Sequence, residues 1–180
     1  VDYEMILSNG LYGIKQKVDM ELAKLPLTDV QNFEKRNFLN AVNITLEAAG
    51  NFSLRYSKLA RSMAERETNV RRKMELDRIA EICDWIPAHP ARGFYEALQA
   101  VWFVYIVLMI EGWGPGISFG RADQYLYPYY RKDIDEGKIT REEAQELLSL
   151  FCIKINHSGM RFSFDTMKTA SIKILRTPSC

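Results

Sequence analysis

The stretch EGWGPGISFGRADQYLYPYY, Glu111 to Tyr130, sets four glycines and a proline directly behind a long apolar run and then crowds four tyrosines together. Glycine frees the backbone and lets another chain or a ligand approach it closely. Such an exit from a buried element either receives something against its backbone or relieves crowding at the helix end. Upstream, Phe94 to Ile110 is apolar nearly all round, interrupted only by Glu96 and Gln99. This run is shorter than the roughly 20 residues of a bilayer span, so it is read as a helix surrounded by protein. ISFG, Ile117 to Gly120, is short, β-capable and bounded by glycines, and is predicted as a strand leaving that helix.

Helices account for the flanks. Leu7, Leu11, Ile14, Val18, Leu22 and Leu25 recur at three-and-four spacing, with Gly10 and Gly13 as local weak points and Pro26 as the stop. Thr28 and Gln31 form a capping box for a second helix carrying Leu39, Val42, Leu46, Ala49, Leu59 and Met63, which Gly50 threatens to break. Asn69 is placed as the start of a third helix, with Val70, Met74, Ile79, Ile82 and Ile86 on its apolar beat. IPAHP, Ile86 to Pro90, is a turn, since its two prolines do not continue a helix. Gly137 stops the helix after the tyrosines, and Thr140 with Glu143 caps a last one that buries Ala144, Leu147, Leu148, Phe151 and Ile155. Beyond Asn156 no period holds.

Composition bounds the function classes. A chain of 180 residues buries roughly 70% of its unfolded surface when compact, so it needs no staples. Lys+Arg 24 balances Asp+Glu 23, which gives no footprint for nucleic acid or an anionic membrane. Arg71, Arg72 and Lys73 are followed by Glu75 and Asp77, a solvated helix face. Cys83, Cys152 and Cys180 are far apart, which points to a reducing compartment, with neither a disulfide framework nor a zinc site. His89 and His157 have no ligand-spaced companions, and GWGPG lacks the lysine of a phosphate loop. The N-terminus shows no secretory pattern, and a cytoplasmic location is expected.

Three stretches, IPAHPARGFYEALQAVWF, ISFGRADQYLYPYYRKDI and EGKITREEAQELL, occur in an order and spacing that resembles the large subunit of the pyruvate formate-lyase-like glycyl radical enzymes. The resemblance covers residues 1–156, with 157–180 as an unmatched tail. It implies a mainly α fold with a short strand, a fragment of a ten-stranded α/β barrel that encloses one loop with a catalytic cysteine and another with a glycine. It also implies a radical-SAM activating enzyme as partner, which generates the glycyl radical, and a homodimer or a complementing barrel subunit. Those two loops lie downstream of the matching region in the family. No segment here matches them, none of the three cysteines is a thiyl cysteine by motif, and the chain alone is expected to be catalytically silent. A truncated or frame-shifted reading frame and a natural split subunit would both produce such a chain. From another class, a non-catalytic helical module that keeps the scaffold for association is the competing reading.

The candidate substrate-binding residues are Pro115, Gly116 and Ser118. The resemblance places Pro115 and Gly116 where the family's diol dehydratases carry His and Ser to hold substrate hydroxyls. Neither residue has a hydrogen-bonding side chain, which argues against a diol and implies a bulkier substrate, as in the arylacetate decarboxylase branch. Ser118 either faces the barrel interior or bonds neighbouring backbone, the commoner habit of a strand serine. Arg121 is expected to pair with carboxylates or carbonyls, Asp123 to cap the following helix, Trp113 to pack, and the tyrosines to be packing residues first.

Overall fold

The computed structural model describes residues 1–26, 32–112 and 117–158. The described residues form six helices: α1 (Tyr3–Ala23), α2 (Phe33–Arg66), α3 (Val70–Trp85), α4 (Phe94–Gly112), α5 (Ala122–Asp135) and α6 (Arg141–Ser158). Helix α4 touches all five others, as an element apolar on every side must. Residues Ala97, Leu98 and Ala100 to Tyr105 are buried, whereas the last turns open outward and Ile110 is 63% exposed. The expected burial on all sides therefore holds for the first two thirds of α4 only, because nothing among the described residues lies over the remainder.

The start of α4 is held from a distance. ARGF offers no Ser, Thr, Asp or Asn at the helix entrance, so its free N–H groups need outside acceptors. Asp133, at the far end of α5 and only 5% exposed, supplies one: the Phe94 N–H donates to its Oδ2 at 2.7 Å. Gly93 is required there, because a Cβ on it would stand 2.5 Å from the same oxygen. Lys132 Nζ donates to the Arg92 carbonyl beside it at 3.2 Å. The Arg92 N–H donates to Glu96 at 2.7 Å. Helices α4 and α5 thus form an antiparallel hairpin, pinned at its base.

Helix α1 is broken at Gly10, where φ is +66°. The backbone groups freed by the break bond to the IPAHP turn: Leu11 N–H to Pro87 O at 2.9 Å, Tyr12 N–H to Ala88 O at 3.0 Å, and Ala91 N–H to Leu7 O at 3.0 Å. The turn lies so close that a Cβ on Gly10 would collide with the Ala88 carbonyl and the His89 backbone. Only glycine meets both demands. At the other end of α1, Arg36 caps the Leu25 carbonyl at 2.7 Å.

Helix α2 runs unbroken through Gly50, and its buried face is not the row of large apolar residues. Ala49, Gly50, Ser53, Ser57, Ala60 and Ala64 are buried, while Leu59 and Met63 are 55% and 46% exposed. Small side chains let α1 and α3 approach closely; the Tyr12 ring lies 3.6 Å from where a Gly50 Cβ would be. Ser57 Oγ donates across the seam to Ala80 O at 2.8 Å. Helix α3 likewise buries Leu76, Ala80, Ile82 and Cys83 and leaves Val70 and Met74 out.

The Asn69 cap (Arg72 N–H to Oδ1, 3.1 Å) and the Thr140–Glu143 capping box are formed. The Thr28–Gln31 box lies outside the described residues, as does the tail from Gly159. Asp123 is not the cap of α5: the helix begins one residue earlier, with Arg121 at the cap position. The predicted strand Ile117–Gly120 is irregular, because a strand requires a neighbour for its ladder, and no strand exists among the described residues.

Asp133→Ala is expected to lower unfolding stability by about 1–3 kcal/mol by leaving the buried Phe94 N–H unpaired. Gly10→Ala should cost about 1–2 kcal/mol from its left-handed backbone alone, with the clash in addition. Urea unfolding followed by circular dichroism measures both.

Candidate functional site

The pinned α4–α5 hairpin carries the described residues Ile117 to Gly120 at its far tip. Pro115 and Gly116 lie outside the described residues, so the description begins at Ile117. From there the backbone alternates: Ile117 and Phe119 turn inward, Ser118 and Gly120 are exposed. The period of two expected of a strand is present without the ladder. Ser118 Oγ accepts the Gly120 N–H at 3.0 Å, the local backbone bond that was one of its two expected roles. Gly120 has φ +60°, which turns the chain into α5.

Phe119 is the anchor. Its ring lies 4.8 Å from Tyr105, 5.5 Å from Phe151 and 6.1 Å from Tyr3, and its carbonyl accepts the Tyr125 hydroxyl at 2.9 Å. Tyr3 also meets Tyr125 at 5.5 Å. Helices α1, α4, α5 and α6 therefore converge on one phenylalanine, and this fixes which side of the segment faces outward. Burial pushes both Tyr3 and Tyr125 up to about 12, with the neighbouring tyrosine of each adding to the effect. The Tyr3 hydroxyl is buried without a hydrogen-bond partner.

Arg121 and Asp123 form an exposed two-point pair at 3.0 and 2.8 Å. Its hydrogen bonds hold the Asp123 carboxyl below the usual carboxylate range. Exposure and mutual satisfaction make the pair a local brace for the turn, in accord with the expected role of Arg121.

The pyruvate formate lyase-like family model matches residues 1–165. The chain belongs to that family. It is 49% identical over 149 residues to the isethionate sulfite-lyase of Oleidesulfovibrio alaskensis, a match that covers 82% of this chain and 18% of that protein. Among solved structures it is similar to the 1,2-propanediol dehydration enzyme of Roseburia inulinivorans (TM-score 0.84, 45% identity, 87% of this chain and 19% of that one). It is also similar to the glycerol-bound, B12-independent glycerol dehydratase of Clostridium butyricum (TM-score 0.85, 38% identity, 94% and 21%). This pyruvate formate lyase-like chain thus spans about a fifth of the relatives it matches, and its helices correspond to a fragment of their glycyl radical enzyme barrels.

Within that fragment, the two described cysteines, Cys83 and Cys152, lie in helices α3 and α6. Cys83 is 2% exposed in α3 and lines a groove between α2, α3, α4 and α6, and burial pushes its thiol up to about 11. A thiol so held stays protonated at neutral pH. Cys152 is exposed on α6, and Cys180 lies outside the described residues. Among the described residues no group of three or more His, Cys, Asp or Glu is placed to hold a metal ion. His89 is instead part of a stack, its ring 4.2 Å from Trp85, with the Arg92 guanidinium 4.6 Å from the centre of the Trp85 ring.

Two features of this part of the pyruvate formate lyase-like chain escape the sequence reading. Phe119 lies beside the serine that drew attention, and its apolar character in a β-capable stretch is the signal that it packs inward. Asp133 is legible only through the missing local cap at ARGF.

Tyrosinate absorbance should show Tyr3 and Tyr125 ionising near pH 12. The folded state holds both phenol protons more tightly than the unfolded chain, whose tyrosines ionise near 10. Their contribution is therefore intact below pH 10 and is lost as the pH rises toward 12. Tyr125→Phe, which removes a bond to Phe119 O, should cost about 1 kcal/mol, whereas Tyr3→Phe removes an unpartnered hydroxyl and should be neutral or stabilising.

Proposed function

We propose that the chain supplies the helical shell and one wall segment of a glycyl radical enzyme that eliminates a leaving group from a small organic substrate by radical chemistry. The 49% identity to an isethionate sulfite-lyase carries this reading. In it, the glycyl radical and its thiyl cysteine belong to the part of the enzyme beyond the matched fifth, and they supply hydrogen-atom abstraction. The residues of this chain do other work. Phe119 and the tyrosines around it hold Ile117 and Ser118 in place, and the packed helices behind exclude water from that wall.

Pro115, Gly116 and Ser118 are the proposed wall residues. Without polar side chains at 115 and 116, Ser118 is the polar side chain among these three, and its exposure leaves it free to face a substrate. That favours carbon–sulfur cleavage of a sulfonate, such as isethionate, over dehydration of a diol. The branch represented by the indoleacetate decarboxylase of Tractidigestivibacter scatoligenes, 34% identical, is the second reading, and the room vacated at Pro115 and Gly116 supports it. A radical-SAM activating enzyme is the proposed partner and the cytoplasm the proposed compartment. A complementing remainder of the barrel or a second copy completes the assembly. Helix α4 includes an 18-residue stretch apolar enough to cross a membrane, 56% of it buried inside the fold; its packing against five helices supports a core role.

The test is a fusion in which this chain replaces the matched stretch of the O. alaskensis enzyme. After anaerobic activation, electron paramagnetic resonance should show the glycyl radical doublet, and sulfite should be released from isethionate. Decarboxylation of indoleacetate in place of sulfite release would favour the second reading. A soluble fusion that is cleanly folded but shows no radical after activation would defeat the enzymatic one.

A further inference from the structure

A groove of about 560 Å³ runs between α2 and α3 on one side and α6 on the other, floored by α4. Its rim exposes large apolar groups at a density that a finished surface avoids: Tyr56 is 44%, Leu59 55%, Met63 46% and Leu150 54% exposed. These residues come from two helices, α2 and α6, that both pack on α4. Among the described residues no Asp or Glu lines the groove. Arg72 and Lys154 do, and Arg72 is already engaged by Glu75 at 2.9 Å. Lys154 has no ion pair among the described residues; its ammonium lies 5.8 Å from the centre of the Trp102 ring.

We infer that this groove is an internal seam of the assembled enzyme, filled by an amphipathic segment from the four-fifths of a glycyl radical enzyme that this chain does not match. That segment presents apolar side chains to Leu59, Met63 and Leu150 and a carboxylate to Lys154. The inference rests on the proposed function for the existence of that remainder. The share of the relatives left unmatched gives the occupant its source, and the acid-free lining with one unpaired cation gives its chemistry. Neither Ser118 nor Phe119 lines the groove, and Cys83, on its α3 side, is buried. The surface at issue is therefore one of assembly and not of substrate binding.

The experiment uses the full 180-residue chain with Leu59→Cys, Leu150→Cys or, as a control, Met74→Cys, which is 68% exposed and does not line the groove. The probe is the O. alaskensis isethionate sulfite-lyase truncated to lack its matched stretch. Maleimide labelling is followed peptide by peptide by mass spectrometry. Adding the truncated enzyme should slow labelling at Leu59→Cys and Leu150→Cys about tenfold or more, as burial under a bound element does, and leave Met74→Cys unchanged. Lys154→Glu should abolish the protection and Lys154→Arg should keep it. Unchanged rates at positions 59 and 150 overturn the inference, whether or not a complex forms, and so does protection of Met74→Cys in their place. A fusion that shows the radical while Leu59→Cys labels freely removes the seam and spares the functional reading; protection at 59 and 150 with a fusion that never shows the radical does the reverse.

Discussion

A single buried carboxylate sets the geometry of everything on the α4 side of the molecule. Asp133 accepts the Phe94 N–H from a helix 39 residues away in sequence, and an interior carboxylate is tolerated only where it is so engaged. By joining the end of α5 to the beginning of α4 it converts two helices and their connection into a closed hairpin. The tip of that hairpin, Ile117 to Gly120, is then held from behind by Phe119 against rings from α1, α4 and α6. Tip and base are secured by different means, a charge-assisted hydrogen bond at one end and aromatic packing at the other. Ser118 faces outward as a result of both.

The second organising feature is the mismatch between what α4 demands and what this chain supplies. A helix of 19 residues is about 28 Å long and, apolar all round, asks for cover along its whole length. Five helices provide it as far as Tyr105. Beyond that point, and along the groove bordered by Leu59 and Leu150, apolar surface stays open among the described residues. This is the physical counterpart of a chain that matches about a fifth of its relatives.

Much of the helical architecture was legible in the sequence, because apolar periodicity and capping residues are local signals. Asn69, Thr140 with Glu143, and Gly137 mark helix ends where the structure has them. The buried face of α2 was not legible in the same way. Periodicity weights large apolar residues, whereas the contact is made by Ala, Gly and Ser, which score as nothing and matter because they are small. The strand at Ile117–Gly120 failed for the opposite reason: its alternation is encoded locally, but a ladder belongs to two segments. The family resemblance carried the candidate wall residues, and of these only Ser118 is among those described. Asp133 and Phe119 act through partners remote in sequence, which no local pattern announces.

The break in α1 has a consequence for the order in which the molecule is built. Leu11 and Tyr12 must donate their N–H groups to Pro87 and Ala88, residues made some 76 positions later. At roughly 5–20 residues per second on a ribosome, the first helix waits about 4 to 15 s for the carbonyls that complete it. During that interval Gly10 leaves it as two loosely joined halves with unsatisfied backbone. Nascent α1 is thus made well before it can be finished, a natural point for chaperone contact and for trouble when synthesis stalls before residue 91.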